Sequence, residues 1–223
     1  MWGSMVVLIP GTGVTRAATA VLARALDGVL FVVVERSLSP DTGRRSAALD
    51  HCAVMDRRAA LDDGVLDQCS AAAESEAIAQ QLPAGLLAYE VVVVGQGDGA
   101  RVAIELARRL EQPGVRDSGL ATGGVSAVVV AGALPPDPGD VSDCADSPDR
   151  PQTEPIAAPL HVWAATEDLS APAGHRMLGW REFTDATTTF RAFEGAEDFL
   201  LTRAGEVAGR LRRVLEVQGA GGA

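Results

Sequence analysis

The stretch YEVVVVGQGDGARVAIELARRL, residues 89–110, decides the fold of this chain. Its four consecutive valines predict a β-strand that is buried on both faces. The spacing of apolar residues from position 100 onward predicts an amphipathic helix. Between the two lies a glycine-rich turn, residues 95–99, which contains neither Ser nor Cys. A strand, such a turn and a helix in succession typically hold either a phosphate or a nucleophile.

Short apolar runs alternate with helical patterns along the rest of the chain. The predicted strands are 5–9, 29–35, 90–94, 126–131, 160–165 and 188–193, and the predicted helices are 17–26, 66–82, 100–110, 173–183 and 199–217. Uniformly apolar strands that alternate with helices indicate an α/β fold with a doubly wound, mostly parallel sheet. We expect a single domain over residues 1–223, with an acidic excursion rich in Pro and Asp at 134–159.

Composition narrows the range of functions. The net charge of −11 disfavours nucleic-acid binding, because phosphate backbones are themselves anionic. All 19 basic residues are Arg, which excludes a P-loop lysine and Schiff-base lysine chemistry. Three cysteines with irregular spacing predict neither a disulfide framework nor a metal site, and they favour a reducing cytoplasm. No apolar run approaches the roughly 20 residues that span a bilayer, so we expect no membrane association.

One interpretation of the glycine-rich turn is dinucleotide binding. Gly95, Gly97 and Ala100 satisfy the G-x-G-x-x-[GA] pattern, in which backbone N–H groups approach a pyrophosphate. However, the next strand ends without an acidic residue for a ribose hydroxyl, and Asp98 would place negative charge beside the phosphate. The first strand leads into a second partial match at 11–16, where Arg replaces the third glycine. Nucleotide binding is therefore the weaker alternative, and we expect no cofactor.

The other interpretation is a nucleophile elbow, a strained turn with the pattern small-x-nucleophile-x-small. Gly95 and Gly99 supply the two small residues, and Gly97 stands at the nucleophile position. The order of motifs along the chain resembles that of the type II thioesterases of polyketide and nonribosomal peptide assembly lines, members of the α/β-hydrolase superfamily. The matching segments are IPGTG at 9–13, GQGDGA at 95–100, VAIELARRL at 102–110, GWRE at 179–182 and FEGAEDFL at 193–200.

The resemblance implies an α/β-hydrolase-like sheet of strand order 2-1-3-4-5-6 and gives a position to each catalytic group. The nucleophilic Ser of the family falls on Gly97, its general-base His on Glu197 and its orienting Asp on Asp168. The backbone N–H groups of its oxyanion hole fall on Thr12 and Asp98. Because two of the three triad members are replaced, the resemblance implies a thioesterase fold without Ser-His acyl transfer.

The replacements point to a different chemistry. Asp168 and Glu197 would stand close together and Asp98 could reach the same pocket, so these three carboxyl groups are the candidate general acids and bases. We expect the substrate to contact four positions: Thr12, Gln96, Gly97 and His175. The helical lid of the family is expected to be absent or reduced, since the excursion at 134–159 takes its place.

The favoured function is that of a cofactor-independent, non-hydrolytic acid–base catalyst. Such a cyclase, isomerase or dehydratase would act on a polyketide-like intermediate. The resemblance implies an acyl carrier protein or a neighbouring biosynthetic enzyme as partner. Two alternatives are a non-catalytic binding partner of those proteins and a residual hydrolase that uses a water held by the carboxylates.

Overall fold

The fold is given by a computed structural model that describes residues 4–11, 14, 16–34, 68–82, 89–112, 124–135, 154–167, 177–196 and 198–219. The strands are β1 Ser4–Ile9, β2 Leu30–Val33, β3 Glu90–Gln96, β4 Val125–Ala131, β5 Leu160–Ala165 and β6 Thr188–Phe193. The helices are α1 Arg16–Ala25, α2 Gln68–Gln81, α3 Gly99–Glu111, α4 Phe199–Thr202 and α5 Ala204–Gly219, with a 3₁₀ helix at Leu178–Phe183.

The strands form one six-stranded sheet in the order β2-β1-β3-β4-β5-β6, and every strand pairing in the described residues is parallel. The predicted fold class and strand order are therefore confirmed. The 3₁₀ helix occupies the described end of the predicted helix 173–183. The agreement in the sheet follows from the apolar runs of the central strands, which are buried on both faces, whereas the edge strands β2 and β6 are only partly buried.

The four valines of β3 show why the sheet is covered on both faces. Val91 and Val93 pack into a core that includes residues of α2, α3 and the 3₁₀ helix. Val92 and Val94 point the opposite way, into a core that includes residues of α1, α4 and α5. All four are at most 3% exposed. Successive side chains of a strand alternate between faces, so an unbroken valine run satisfies two cores at once.

One prediction about helix boundaries is wrong. The predicted helix 199–217 breaks at Arg203, whose backbone leaves the helical region at φ −112° and ψ 26°. The Arg203 guanidinium reaches back to the carbonyl and carboxylate of Glu194, which lies after β6. Residues 136–153, most of the excursion predicted at 134–159 in place of the lid, lie outside the described residues. At its described end, Ile156 is fully buried and donates its N–H to the carbonyl of Phe183, and Ala158 is buried as well.

A buried ion pair lies on α3, where the charge pattern alone would predict solvent-exposed side chains. The guanidinium of Arg108 donates to the carboxylate of Glu105 and to the backbone carbonyl of Glu154, and it stacks over the Phe183 ring. Burial raises the pKa of Glu105 and lowers the pKa of Arg108, although each charge favours ionisation of the other. Desolvation therefore outweighs the mutual attraction, as is common for buried pairs.

We predict that removing one member of this pair destabilises the fold strongly. Glu105→Gln leaves the Arg108 charge buried at 6% side-chain exposure without its counter-charge. The expected loss is about 3 kcal/mol in the free energy of unfolding, measured by urea denaturation. The matched control is Glu76→Gln, which removes the pair with Arg109 at 48% exposure and should cost less than about 1 kcal/mol. Equal losses for the two variants would contradict this assignment.

His161 is a partly buried histidine at the start of β5. Its Nδ1 forms a 2.6 Å hydrogen bond with the hydroxyl of Thr189 on β6. Its Nε2 is buried and has no hydrogen-bond partner in the part of the chain described here. Burial lowers the pKa of His161 below its ordinary value of 6.5, so the folded state holds the neutral imidazole.

This shift makes stability depend on pH in a defined direction. The unfolded chain takes up a proton on His161 near its ordinary pKa, whereas the folded chain resists protonation. The contribution is therefore present above pH 6.5 and is lost as the pH falls through 6.5 toward the folded pKa. His161→Gln, which keeps a partner for Thr189, should flatten the decline in unfolding free energy between about pH 7.5 and 5.5. An unchanged slope would show that His161 does not contribute to it.

Candidate functional site

The glycine-rich turn at residues 95–99, called the elbow from here on, lies at the carboxyl end of β3 and leads directly into α3. The N–H of Gly97 donates to the carbonyl of Ala131 at the end of β4, at 2.9 Å. The N–H of Ala100 donates to the carbonyl of Gly97 at 3.1 Å and starts the helix. Open α/β sheets bind their ligands at this end of the strands, so the elbow is the candidate site.

The two outer glycines of the elbow are required by close backbone packing. A β-carbon on Gly95 would lie 2.5 Å from the Ala100 Cα, and one on Gly99 would lie 2.4 Å from the Ile9 carbonyl oxygen. Both distances are far inside van der Waals contact. The absence of side chains at these positions lets α3 begin directly against β1 and β3, which is the packing that a nucleophile elbow needs.

Gly97 occupies the apex of the elbow. Its φ of +53° lies in the left-handed region that L-residues rarely adopt. Among the described residues, a β-carbon added there would meet one atom within 4 Å, the Cα of Gly11 at 3.8 Å. The apex therefore has the backbone turn of a nucleophile position and, as far as the described residues go, open space above it, while its residue carries no side chain.

Asp98 follows the apex and occupies the N-cap position of α3, but its side chain does not cap the helix. Its backbone is already helical, at φ −64° and ψ −22°, and its carboxylate makes no capping hydrogen bond. Instead, Oδ1 lies 3.0 Å from the point where a β-carbon of Gly11 would stand. The half-buried carboxylate of Asp98 therefore borders the segment after β1, beside the open space over Gly97.

Four of the predicted site residues, Thr12, Asp168, His175 and Glu197, lie outside the described residues. The segments that lead to two of them are tied together. Glu167 donates its N–H to the carbonyl of Gly195 at 2.9 Å, and Gly195 donates its N–H to the hydroxyl of Thr166 at 3.3 Å. The chain therefore approaches Asp168 and Glu197 from two adjacent, hydrogen-bonded loops.

An aromatic cluster lies near the carboxyl ends of β5 and β6, and the sequence analysis did not predict it. Phe193 stacks on Phe199 at 4.9 Å between ring centroids and contacts Trp163 at 5.2 Å in a tilted geometry. A β-carbon on Gly132, just after β4, would lie 4.0 Å from the Phe199 ring. The sequence does carry a signal for this cluster. One aromatic residue lies near the end of β5, a second at the end of β6 and a third at the start of α4.

The described part of the chain contains neither a candidate metal cluster nor a candidate membrane-spanning helix. No group of His, Cys, Asp and Glu side chains there could hold a metal ion. Among the same residues, no helix has the length and apolar character needed to cross a membrane.

Solved structures from natural-product pathways share this architecture over almost the whole chain. ClbQ from the colibactin NRPS/PKS pathway matches with a TM-score of 0.64 at 15% identity, covering 99% of this chain and 100% of its own. YbtT, the type II thioesterase of the yersiniabactin NRPS/PKS pathway, matches with a TM-score of 0.62 at 15% identity, covering 96% and 94%. This chain has the fold of type II thioesterases.

A third match is the thioesterase RedJ from the prodiginine pathway in Streptomyces coelicolor, with a TM-score of 0.59 at 19% identity, covering 93% of this chain and 88% of RedJ. No family model matches the chain, and no curated protein matches its sequence. The structural matches thus confirm the fold that the motif order implied. At these sequence identities, the matches support the fold only.

We predict that the three elbow glycines respond differently to alanine. Gly97→Ala meets open space and should cost only the left-handed backbone strain, about 1–2 kcal/mol. Gly95→Ala and Gly99→Ala should cost more, because their β-carbons overlap backbone atoms. The control is Gly209→Ala in α5, where the added β-carbon meets no described atom within 4 Å beyond the local helix backbone, and stability should rise by about 0.5–1 kcal/mol. Thermal denaturation of the four variants tests this order, and a well-tolerated Gly95→Ala would contradict the packing of the elbow.

Proposed function

We propose that this protein is a thioesterase-fold catalyst of natural-product biosynthesis that works without serine chemistry. It acts as a cofactor-independent, non-hydrolytic acid–base catalyst on a polyketide-like intermediate. The observation that carries the proposal is the elbow, which keeps its backbone turn and its open apex while Gly97 offers no attacking atom. Without a nucleophile, an acyl-enzyme intermediate has no atom on which to form.

Carboxylates supply the chemistry in this proposal. Asp98 borders the open apex. The loops that carry Asp168 and Glu197 are hydrogen-bonded to each other just before those residues, which supports two neighbouring carboxyl groups at the His and Asp positions of the thioesterase triad. Two close carboxyl groups in a half-buried site share one proton, so one member can accept a proton while the other donates one.

This arrangement suits ring closure or isomerisation of a chain with alternating carbonyl groups. A carboxylate removes a proton from the methylene between two carbonyls, and the resulting carbon attacks a carbonyl elsewhere in the chain. A neighbouring carboxylic acid protonates the oxygen of the attacked carbonyl. The proton removed is balanced by the proton delivered, so no cofactor is consumed.

We further propose that an acyl carrier protein delivers the intermediate. The support is the setting of the structural matches, which are named for NRPS/PKS pathways. In this proposal the open apex accommodates part of the delivered chain where a thioesterase would hold its Ser side chain.

We predict that Asp98→Asn, Asp168→Asn and Glu197→Gln each lower product formation by at least about 100-fold while the protein stays folded. Mass spectrometry measures cyclised or isomerised product from a linear poly-β-keto N-acetylcysteamine thioester. The matched control is Glu194→Gln, an exposed carboxylate that pairs with Arg203 beside the same loop and should leave the rate unchanged.

Other outcomes would assign a different function. Full activity in all three variants would refute the carboxylate mechanism. Release of free acid from a butyryl thioester above background would favour a residual hydrolase. A stable complex with a carrier protein on gel filtration, together with absent turnover and indifference to all three substitutions, would favour a non-catalytic binding partner.

A further inference from the structure

Gln96 is the last residue of β3 and directly precedes the apex of the elbow. The alternation of side chains along the strand places Gln96 on the face of Val92 and Val94. Its partner in the strand register is Ala131 on β4, and it is 9% exposed. A long polar side chain is thus buried at the carboxyl end of the sheet, where the candidate site lies.

One end of the Gln96 amide has an unmet hydrogen-bonding capacity. Oε1 is buried and has no hydrogen-bond partner in the described residues. An unsatisfied buried polar atom costs about 1–3 kcal/mol, so such atoms in native structures call for an explanation. Packing alone does not provide one, because Met or Leu would fill a similar volume without a polar atom to desolvate.

The surroundings of Gln96 are poorly suited to hold a buried water instead. Its neighbours on this face of the sheet, Val94 and Ala131, are apolar. The N–H of the next residue, Gly97, already donates to the carbonyl of Ala131. An ordered buried water typically needs about three polar partners, and a water at Oε1 would have few of them in the described part of the chain.

We propose that Gln96 is a specificity-determining residue whose Oε1 accepts a hydrogen bond from a hydroxyl or amide N–H of the bound intermediate. The site therefore selects oxygenated or amide-bearing chains over plain alkyl chains. This inference rests on the proposed function for the identity of the site, and it adds the class of substrate. The aromatic cluster of Trp163, Phe193 and Phe199 lies on the same face of the sheet and supplies apolar surface for the rest of the chain.

A matched pair of ligands tests this selectivity. The probes are 3-hydroxybutyryl-N-acetylcysteamine and butyryl-N-acetylcysteamine, which differ by one hydroxyl group. Isothermal titration calorimetry should show about fivefold tighter binding of the hydroxylated compound to the parent protein, the factor that corresponds to one net hydrogen bond. Gln96→Met should bind both compounds equally, at the affinity of the parent for the butyryl compound.

Stability provides a second readout that does not depend on the ligand. Because Gln96→Met removes an unsatisfied polar atom, its melting temperature without ligand should equal or exceed that of the parent. Gln96→Leu serves as a second apolar variant with the same expectation. Asp98→Asn separates this inference from the proposed function, since it should abolish turnover and keep the preference for the hydroxylated compound.

Four results would overturn the inference. Three are binding results: equal affinities of the parent for the two compounds, binding of neither compound, and an undiminished preference in both apolar variants. The fourth is a crystal structure of the free protein in which Gln96 Oε1 accepts a hydrogen bond from another residue of the chain. A different pair of results would separate the two proposals. If the two apolar Gln96 variants lose the preference while Asp98→Asn keeps full turnover, Gln96 remains the recognition residue and the carboxylate mechanism is refuted.

Discussion

The close approach of α3 to the ends of β1 and β3 is the constraint on which the rest of the structure depends. Gly95 and Gly99 permit it, because any side chain there would overlap the backbone of α3 or the carbonyl of Ile9. The helix therefore starts after a turn of only two residues, and its first turn packs against the centre of the sheet. An apex held in this way is positioned by backbone packing, which does not require the nucleophile that such a turn usually carries.

The remainder of α3 is anchored on both flanks, which keeps the elbow rigid. Arg109 donates to the hydroxyl of Ser75 and to the carbonyl of Ala72, so it joins α3 to α2. On the other flank, Glu111 accepts hydrogen bonds from the N–H groups of Ala157 and Ala158. Sites placed on rigid elements hold their geometry better than sites on loops. The buried pair on the same helix is costly to desolvate, yet it fixes the segment that leads into β5.

Sequence reasoning succeeded where one physical effect dominated. Apolar runs predicted the central strands, because burial on both faces leaves no other pattern for them. The edge strand β6 was predicted from its β-branched residues, and most of its side chains are not buried. It failed where partners come from distant parts of the chain. The burial of Arg108 depends on the Glu154 carbonyl and the Phe183 ring, and the helix break at Arg203 depends on Glu194. In the site, the positions of Gly97 and Asp98 at the elbow were predicted, whereas the unsatisfied state of Gln96 Oε1 was not.

The elbow has the backbone turn of a nucleophile elbow, but Gly97 at its apex has no side chain. This combination limits the functions that the elbow can serve. Glycine adopts many backbone conformations, so a turn that carries no nucleophile could leave the left-handed region. Gly97 nevertheless keeps φ at +53°, because its N–H is bonded to Ala131 and its flanks are locked. The turn is therefore held in place by the described fold. In the proposed function, the space over the apex is bordered by the carboxylate of Asp98 and lies next to the buried amide of Gln96, and it holds and protonates a polar chain.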